Sequence, residues 1–102
     1  EELLLMNNQI SVIDNFSFLN TTKLKNIRLD NNMLFKFDIS IFSSSKILNM
    51  LDLSLNSDLY KFKLNSKNLN SLVELKMFDI QILTDYLFAN ISNIIRLHLS
   101  SC

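Results

Sequence analysis

Apolar residues recur along this chain at a fixed spacing, with polar residues held between them. Reading from Leu24 gives Leu24-x-x-Ile27-x-Leu29-x-x-Asn32-x-Leu34. Reading from Leu48 gives Leu48-x-x-Leu51-x-Leu53-x-x-Asn56, with Leu59 one residue late. Leu72-x-x-Leu75-x-Met77-x-x-Ile80-x-Ile82 and Ile94-x-x-Leu97-x-Leu99-x-x-Cys102 follow the same frame. The N-terminal stretch Leu3-x-Leu5-x-x-Asn8-x-Ile10 fits it without its first position. Starts at 24, 48, 72 and 94 are separated by 24, 24 and 22 residues. A unit repeated at such a period is the signature of a stacked-repeat protein.

Each unit predicts one short strand. Alternation such as Ile27-x-Leu29 or Leu51-x-Leu53 puts apolar side chains on one face of extended backbone. One unit cannot bury that face alone, so its neighbours must stack on it. Asn8, Asn32 and Asn56 follow the strands, where the chain bends inward, and form a predicted ladder of side-chain amides bonded to the backbone of adjacent turns. A buried backbone group left without such a partner costs on the order of 1–3 kcal/mol. Ile80 and Cys102 replace Asn in the later units, and irregularity is expected at Ile80, which cannot hydrogen-bond.

The second half of each unit returns over the outer side. Ile13, Phe16 and Phe18 fill that role first, then Phe37, Ile41 and Phe42, and later Leu87, Phe88 and Ile91. The third return differs: Leu59, Phe62, Leu64 and Leu69 carry it, and the alternation Tyr60-Lys61-Phe62-Lys63-Leu64 predicts a second short strand there.

With these strand cores and the links Phe18-Leu19-Asn20-Thr21-Thr22-Lys23-Leu24 and Phe88-Ala89-Asn90-Ile91-Ser92-Asn93-Ile94, the chain resembles the extracellular leucine-rich repeats of Toll-like receptors. The resemblance covers essentially the whole chain. It implies an α/β-type solenoid, a leucine-rich repeat array with a curved parallel sheet on the concave side and a mostly irregular convex side. The units are approximately 1–23, 24–47, 48–71, 72–93 and an incomplete 94–102. It further implies a part of a receptor ectodomain for innate immune recognition and signal transduction, on the extracellular side of the plasma membrane or secreted, with a membrane-anchored parent. Its partner would be a protein or microbial ligand on the concave or lateral face, with receptor dimerisation to follow. Chaoptin-like adhesion proteins and intracellular repeat scaffolds share the pattern and remain alternatives. The sequence departs from the Toll type in lacking the common loop proline and any cysteine-rich cap. With neither end capped, further repeats are expected in the parent.

Composition sharpens this. Leu and Ile make up about three residues in ten, while Gly, Pro and Trp are absent. Asn is then the residue left for left-handed backbone at modest cost. Ten basic and ten acidic residues balance to zero net charge, with no basic stripe, so nucleic acid is not an expected partner. No apolar run approaches the roughly 20 residues that span a bilayer as a helix.

Candidate sites follow from the frame. Side chains between the strand leucines form columns on the concave face. One column runs Leu4, Arg28, Asp52, Lys76, His98; the next runs Met6, Asp30, Ser54, Phe78, Ser100, beside Asn7, Asn31, Leu55. Arg28, Asp30, Asp52, Lys76, Phe78 and His98 are the ligand-binding candidates. Strands about 4.8 Å apart would let Arg28, Asp52 and Lys76 form a charge ladder, which reads equally as a solvated ion-pair row of little energetic value. Phe78 and Leu55 suit a protein contact or are scattered surface hydrophobes. Three N-glycosylation sequons begin at Asn15, Asn20 and Asn90, all on return segments. His98 and Cys102 stand about 13 Å apart along a strand, too far for joint metal ligation. No glycine-rich phosphate loop and no Ser–His–Asp arrangement can be drawn, so neither enzyme activity nor a cofactor or metal is expected.

Overall fold

The computed structural model describes residues 1–14, 16–57, 59, 61–63, 71–78 and 96–100, the segments 61–63 and 96–100 by their backbone. Seven strands occur among them: β1 (Glu2–Leu4), β2 (Asn26–Arg28), β3 (Lys36–Asp38), β4 (Met50–Asp52), β5 (Lys61–Lys63), β6 (Glu74–Phe78) and β7 (Arg96–Ser100). Five of them form one sheet in the order β1-β2-β4-β6-β7. Every pairing in it is parallel.

The register follows the apolar frame. Leu3 pairs with Ile27, Ile27 with Leu51, Leu51 with Leu75, and Leu75 with Leu97. A shift by one residue would turn every leucine to the opposite face, so the buried face locks the pairing. Ile27, Leu29, Leu51, Leu53, Leu75 and Met77 are all buried in one core. Their neighbours Arg28, Met50 and Lys76 alternate with them and are only partly covered.

The sheet extends beyond the strands proper through backbone bonds. Leu5 N–H donates to Arg28 O, Leu29 N–H to Asp52 O and Leu53 N–H to Lys76 O, at 2.8–2.9 Å. Two residues further on, Asn7, Asn31 and Leu55 donate to Asp30, Ser54 and Phe78. At that point the chain reverses into left-handed backbone, with φ of 62° at Asn7, 56° at Asn31 and 60° at Leu55.

The asparagine ladder follows the turn. Asn56 Nδ2 donates to Leu53 O (2.8 Å) within its own turn and to Leu29 O (3.1 Å) in the unit before, and its Oδ1 accepts from Leu34 N–H at 3.1 Å. Asn32 repeats this on Leu29 O, Leu5 O and Ile10 N–H. Asn8 is exposed and bonds Leu5 O and Met6 O of its own loop. Ile80 and Cys102 lie outside the described residues.

The return segments close the far side of the core. β3 and β5 form a second, two-stranded parallel sheet, pairing Lys36 with Lys61 and Phe37 with Phe62. The offset is 61 − 36 = 25 residues, one more than the 24 between β2 and β4, as the late Leu59 implies. The strand expected around Phe62 is present over Lys61–Lys63, and β3 is the partner that the sequence did not announce. After β3, Asp38 caps a single 3-10 turn, Ile39–Phe42, by accepting from Ser40 N–H at 3.0 Å. Phe42 is buried, tilted against Phe18 (5.1 Å between ring centroids) and Phe37 (6.0 Å).

Two expectations are corrected. That 3-10 turn is the helix present among the described residues, so the helical half of an α/β assignment is not borne by them. The two described returns, over 9–23 apart from position 15 and over 33–47, are too short and too extended to offset the cost of nucleating an α-helix. Phe16 does not fill the first return: it is 74% exposed, while Ile13 and Phe18 pack partly against the core. The return that runs through Leu87, Phe88 and Ile91 lies outside the described residues.

Candidate functional site

The face of the main sheet turned away from the core gathers the candidate residues. Parallel pairing places Leu4, Arg28, Asp52, Lys76 and His98 in one row across five strands, as the columns predict. The neighbouring row holds Asp30, Ser54 and Phe78.

The charges pair differently from the expected ladder. Arg28 turns along its own strand to Asp30, with Nε donating to Oδ1 at 3.1 Å and Nη2 to Oδ2 at 2.9 Å. Residues two apart on a strand share a face, and the planar guanidinium matches a carboxylate with two parallel bonds. That geometry outcompetes Asp52 across the strands. The hydrogen bond to Asp30, then its charge, raises the Arg28 pKa above its ordinary value. Arg28 therefore keeps its positive charge well above neutral pH.

Asp52 is buried, and its Oδ1 accepts from Ser54 N–H at 3.0 Å. This carboxylate holds the turn after β4 as well as facing the sheet surface. Ser54 in turn accepts from Phe78 N–H through Oγ at 2.8 Å. Asp30 is buried beneath Arg28. Of the five candidates whose side chains are described, Arg28, Lys76 and Phe78 thus present the more accessible ones. The backbone of His98 pairs with Lys76, and its side chain lies outside the described set.

Sequence reasoning placed Leu55 next to Phe78 but missed its backbone. Asn7 and Asn31 occupy the same row, and Asn31 Nδ2 donates to Asn7 Oδ1 at 2.7 Å. Leu55 interrupts this row in the same left-handed conformation while 46% exposed, with Phe78 37% exposed at the end of the next strand. Left-handed backbone costs a residue with a Cβ about 1–2 kcal/mol, and Asn tolerates it best among the non-glycine residues. Leu55→Asn is therefore expected to raise stability by about 1 kcal/mol, read as a higher urea midpoint with unchanged slope. A destabilised variant would mean that contacts of the leucine outweigh the strain. The signal was the row itself, Asn7 and Asn31 being the two precedents.

A comparison of the chain with family models, with curated proteins and with solved structures gives no match. Among the described residues there is no cluster of potential metal ligands and no helix long and apolar enough to cross a membrane. Asn20 lies exposed at the end of the turn 16–20, whereas Asn15 and Asn90 fall outside the described residues.

Proposed function

We propose that this chain is a stretch of extracellular leucine-rich repeats, a curved solenoid that acts by binding rather than by catalysis. In this reading it belongs to a Toll-like receptor type of ectodomain and contacts a protein or microbial ligand, with receptor dimerisation and signalling to follow. The observation that carries the reading is the register. Successive strands pair in parallel at sequence offsets of 24, 24, 24 and 22 residues, and Asn32 and Asn56 each join their own turn to the unit before. A repeat that bonds to its predecessor in the same way each time propagates as a solenoid.

The sheet face away from the core is the binding surface in this proposal. It carries no competing secondary structure among the described residues, and it combines the cations of Arg28 and Lys76 with the exposed ring of Phe78. Arginine is enriched among the side chains that dominate protein contacts, and phenylalanine is enriched in interfaces generally.

Photo-crosslinking tests it. A benzophenone amino acid replaces Phe78 in one full-length chain and Ser40, on the far side of the core, in another, in cells that make the protein natively. Covalent capture of a partner from position 78 and none from position 40 is the expected result, together with labelling of the chain by a membrane-impermeant reagent. Capture from position 40 alone moves the site off the sheet. A chain inaccessible to the reagent on intact cells sinks the extracellular reading in favour of an intracellular scaffold.

A further inference from the structure

The first return segment carries an apolar surface and, in the same turn, the means of covering it. Residues 16–21 run as tight turns, with Ser17 N–H donating to Asp14 O, Leu19 N–H to Phe16 O and Thr21 N–H to Phe18 O at 3.1–3.3 Å. The first and fourth residues of such a turn lie within about 7 Å of each other at Cα. Phe16 and Leu19 are so related, and they are the most exposed large apolar side chains among the described residues, at 74% and 58%. Neither joins the core.

The sequon Asn20-Thr21-Thr22 follows at once. Its two chemically required side chains, Asn20 and Thr22, are exposed, while Thr21 between them is half-buried. The backbone on either side of Asn20 is held to the next unit: Ser44 Oγ donates to Leu19 O, and Ser45 Oγ donates to Thr21 O at 2.5 Å. The amide of Asn20 is therefore carried outward on an anchored turn, on the opposite side of the core from the proposed binding face.

We propose that Asn20 is N-glycosylated and that the first sugars of the glycan cover Phe16 and Leu19. This rests on the extracellular reading. The donor is a lipid-linked oligosaccharide pyrophosphate. Asn20 Nδ2 forms a bond to the anomeric carbon, the bond from that carbon to the phosphate oxygen breaks, the lipid pyrophosphate leaves, and the amide gives up one proton to a base. Sugar rings present C–H faces that pack on aromatic and aliphatic side chains, and their hydroxyls face water. The glycan thereby turns an apolar patch that would promote association into a solvated surface.

The full chain is recovered from its native cells and, in parallel, from host cells that export it behind a secretion signal. Enzymatic deglycosylation in heavy-oxygen water converts each occupied asparagine to labelled aspartate, and fragment spectra of the peptide ending at Lys23 separate position 20 from position 15. Label at Asn20 in both preparations is the expected result, lost in Asn20→Gln and Thr22→Ala and kept in Thr22→Ser. Deglycosylation is expected to raise the fluorescence of an apolar dye several-fold, and the double variant Phe16→Ser with Leu19→Ser removes that rise. Unlabelled Asn20 in a chain that reaches the cell exterior overturns the proposal and leaves the extracellular reading standing. A native chain confined to the cytosol and unlabelled, beside an exported chain that is labelled, overturns the extracellular reading and with it the modification. Label without any change in dye binding overturns the covering of Phe16 and Leu19.

Discussion

Asn56→Ala is expected to lower the unfolding free energy by about 2–5 kcal/mol, a large part of what a domain of this size has. Asn56 is fully buried. Its Oδ1 is the acceptor for Leu34 N–H, and its Nδ2 is a donor to Leu53 O, so the truncation takes a partner from both of these groups. Leu29 O and Ser54 O keep others, in Asn32 Nδ2 and Asn31 N–H. Asn56→Asp is expected to be no better, because a carboxylate cannot donate to carbonyls and its charge would be buried. The control is Asn8→Ala. Asn8 is exposed and bonds only its own loop, so a loss within about 1 kcal/mol is expected there. Urea unfolding measures both, and amide hydrogen exchange at Leu34 should accelerate in Asn56→Ala alone. Equal losses at positions 8 and 56 would show that the asparagines serve only their local turns.

Phe42→Ala should cost about 3–5 kcal/mol. Its ring is fully buried between Phe18 of the preceding return and Phe37 of its own. Each tilted aromatic pair adds about 0.5–1.5 kcal/mol beyond the area that it buries. Phe16→Ala, on the exposed turn, should stay within about 0.5 kcal/mol of the parent sequence. If Phe42→Ala proves as mild as Phe16→Ala, the return segments do not pack against the sheet as described. Thermal and urea unfolding of the three proteins decides this.

The comparison of Phe16 with Phe42 marks where the sequence stops being informative. Both lie in apolar-rich returns with no strict period, and pattern alone treats them alike. The structure separates them because Asp38 caps a 3-10 turn that points Phe42 inward, whereas the turns over 16–21 leave Phe16 outside. The pairing of Arg28 with Asp30 was hidden for a related reason. Counting columns aligns residues across strands, but a long guanidinium can equally reach two residues along its own strand, and only coordinates decide between the two.

What the sequence determined by itself is the strand frame. Alternating apolar residues admit one buried face, and a slip of one residue would expose Ile27, Leu29, Leu51 and Leu53 together, so the order and register of the main sheet follow from spacing alone. The asparagines belong to the same layer, because a buried bend must find partners for its backbone within a few residues and Asn32 and Asn56 stand where it bends. Tertiary structure decided everything that depends on which neighbour wins. It placed Arg28 on Asp30, gave β5 the partner β3, buried Phe42 and exposed Phe16. It also forced Leu55 into the left-handed backbone that Asn7 and Asn31 adopt at lower cost, because the strands of adjacent units are bonded in one register and the turn geometry passes along with it.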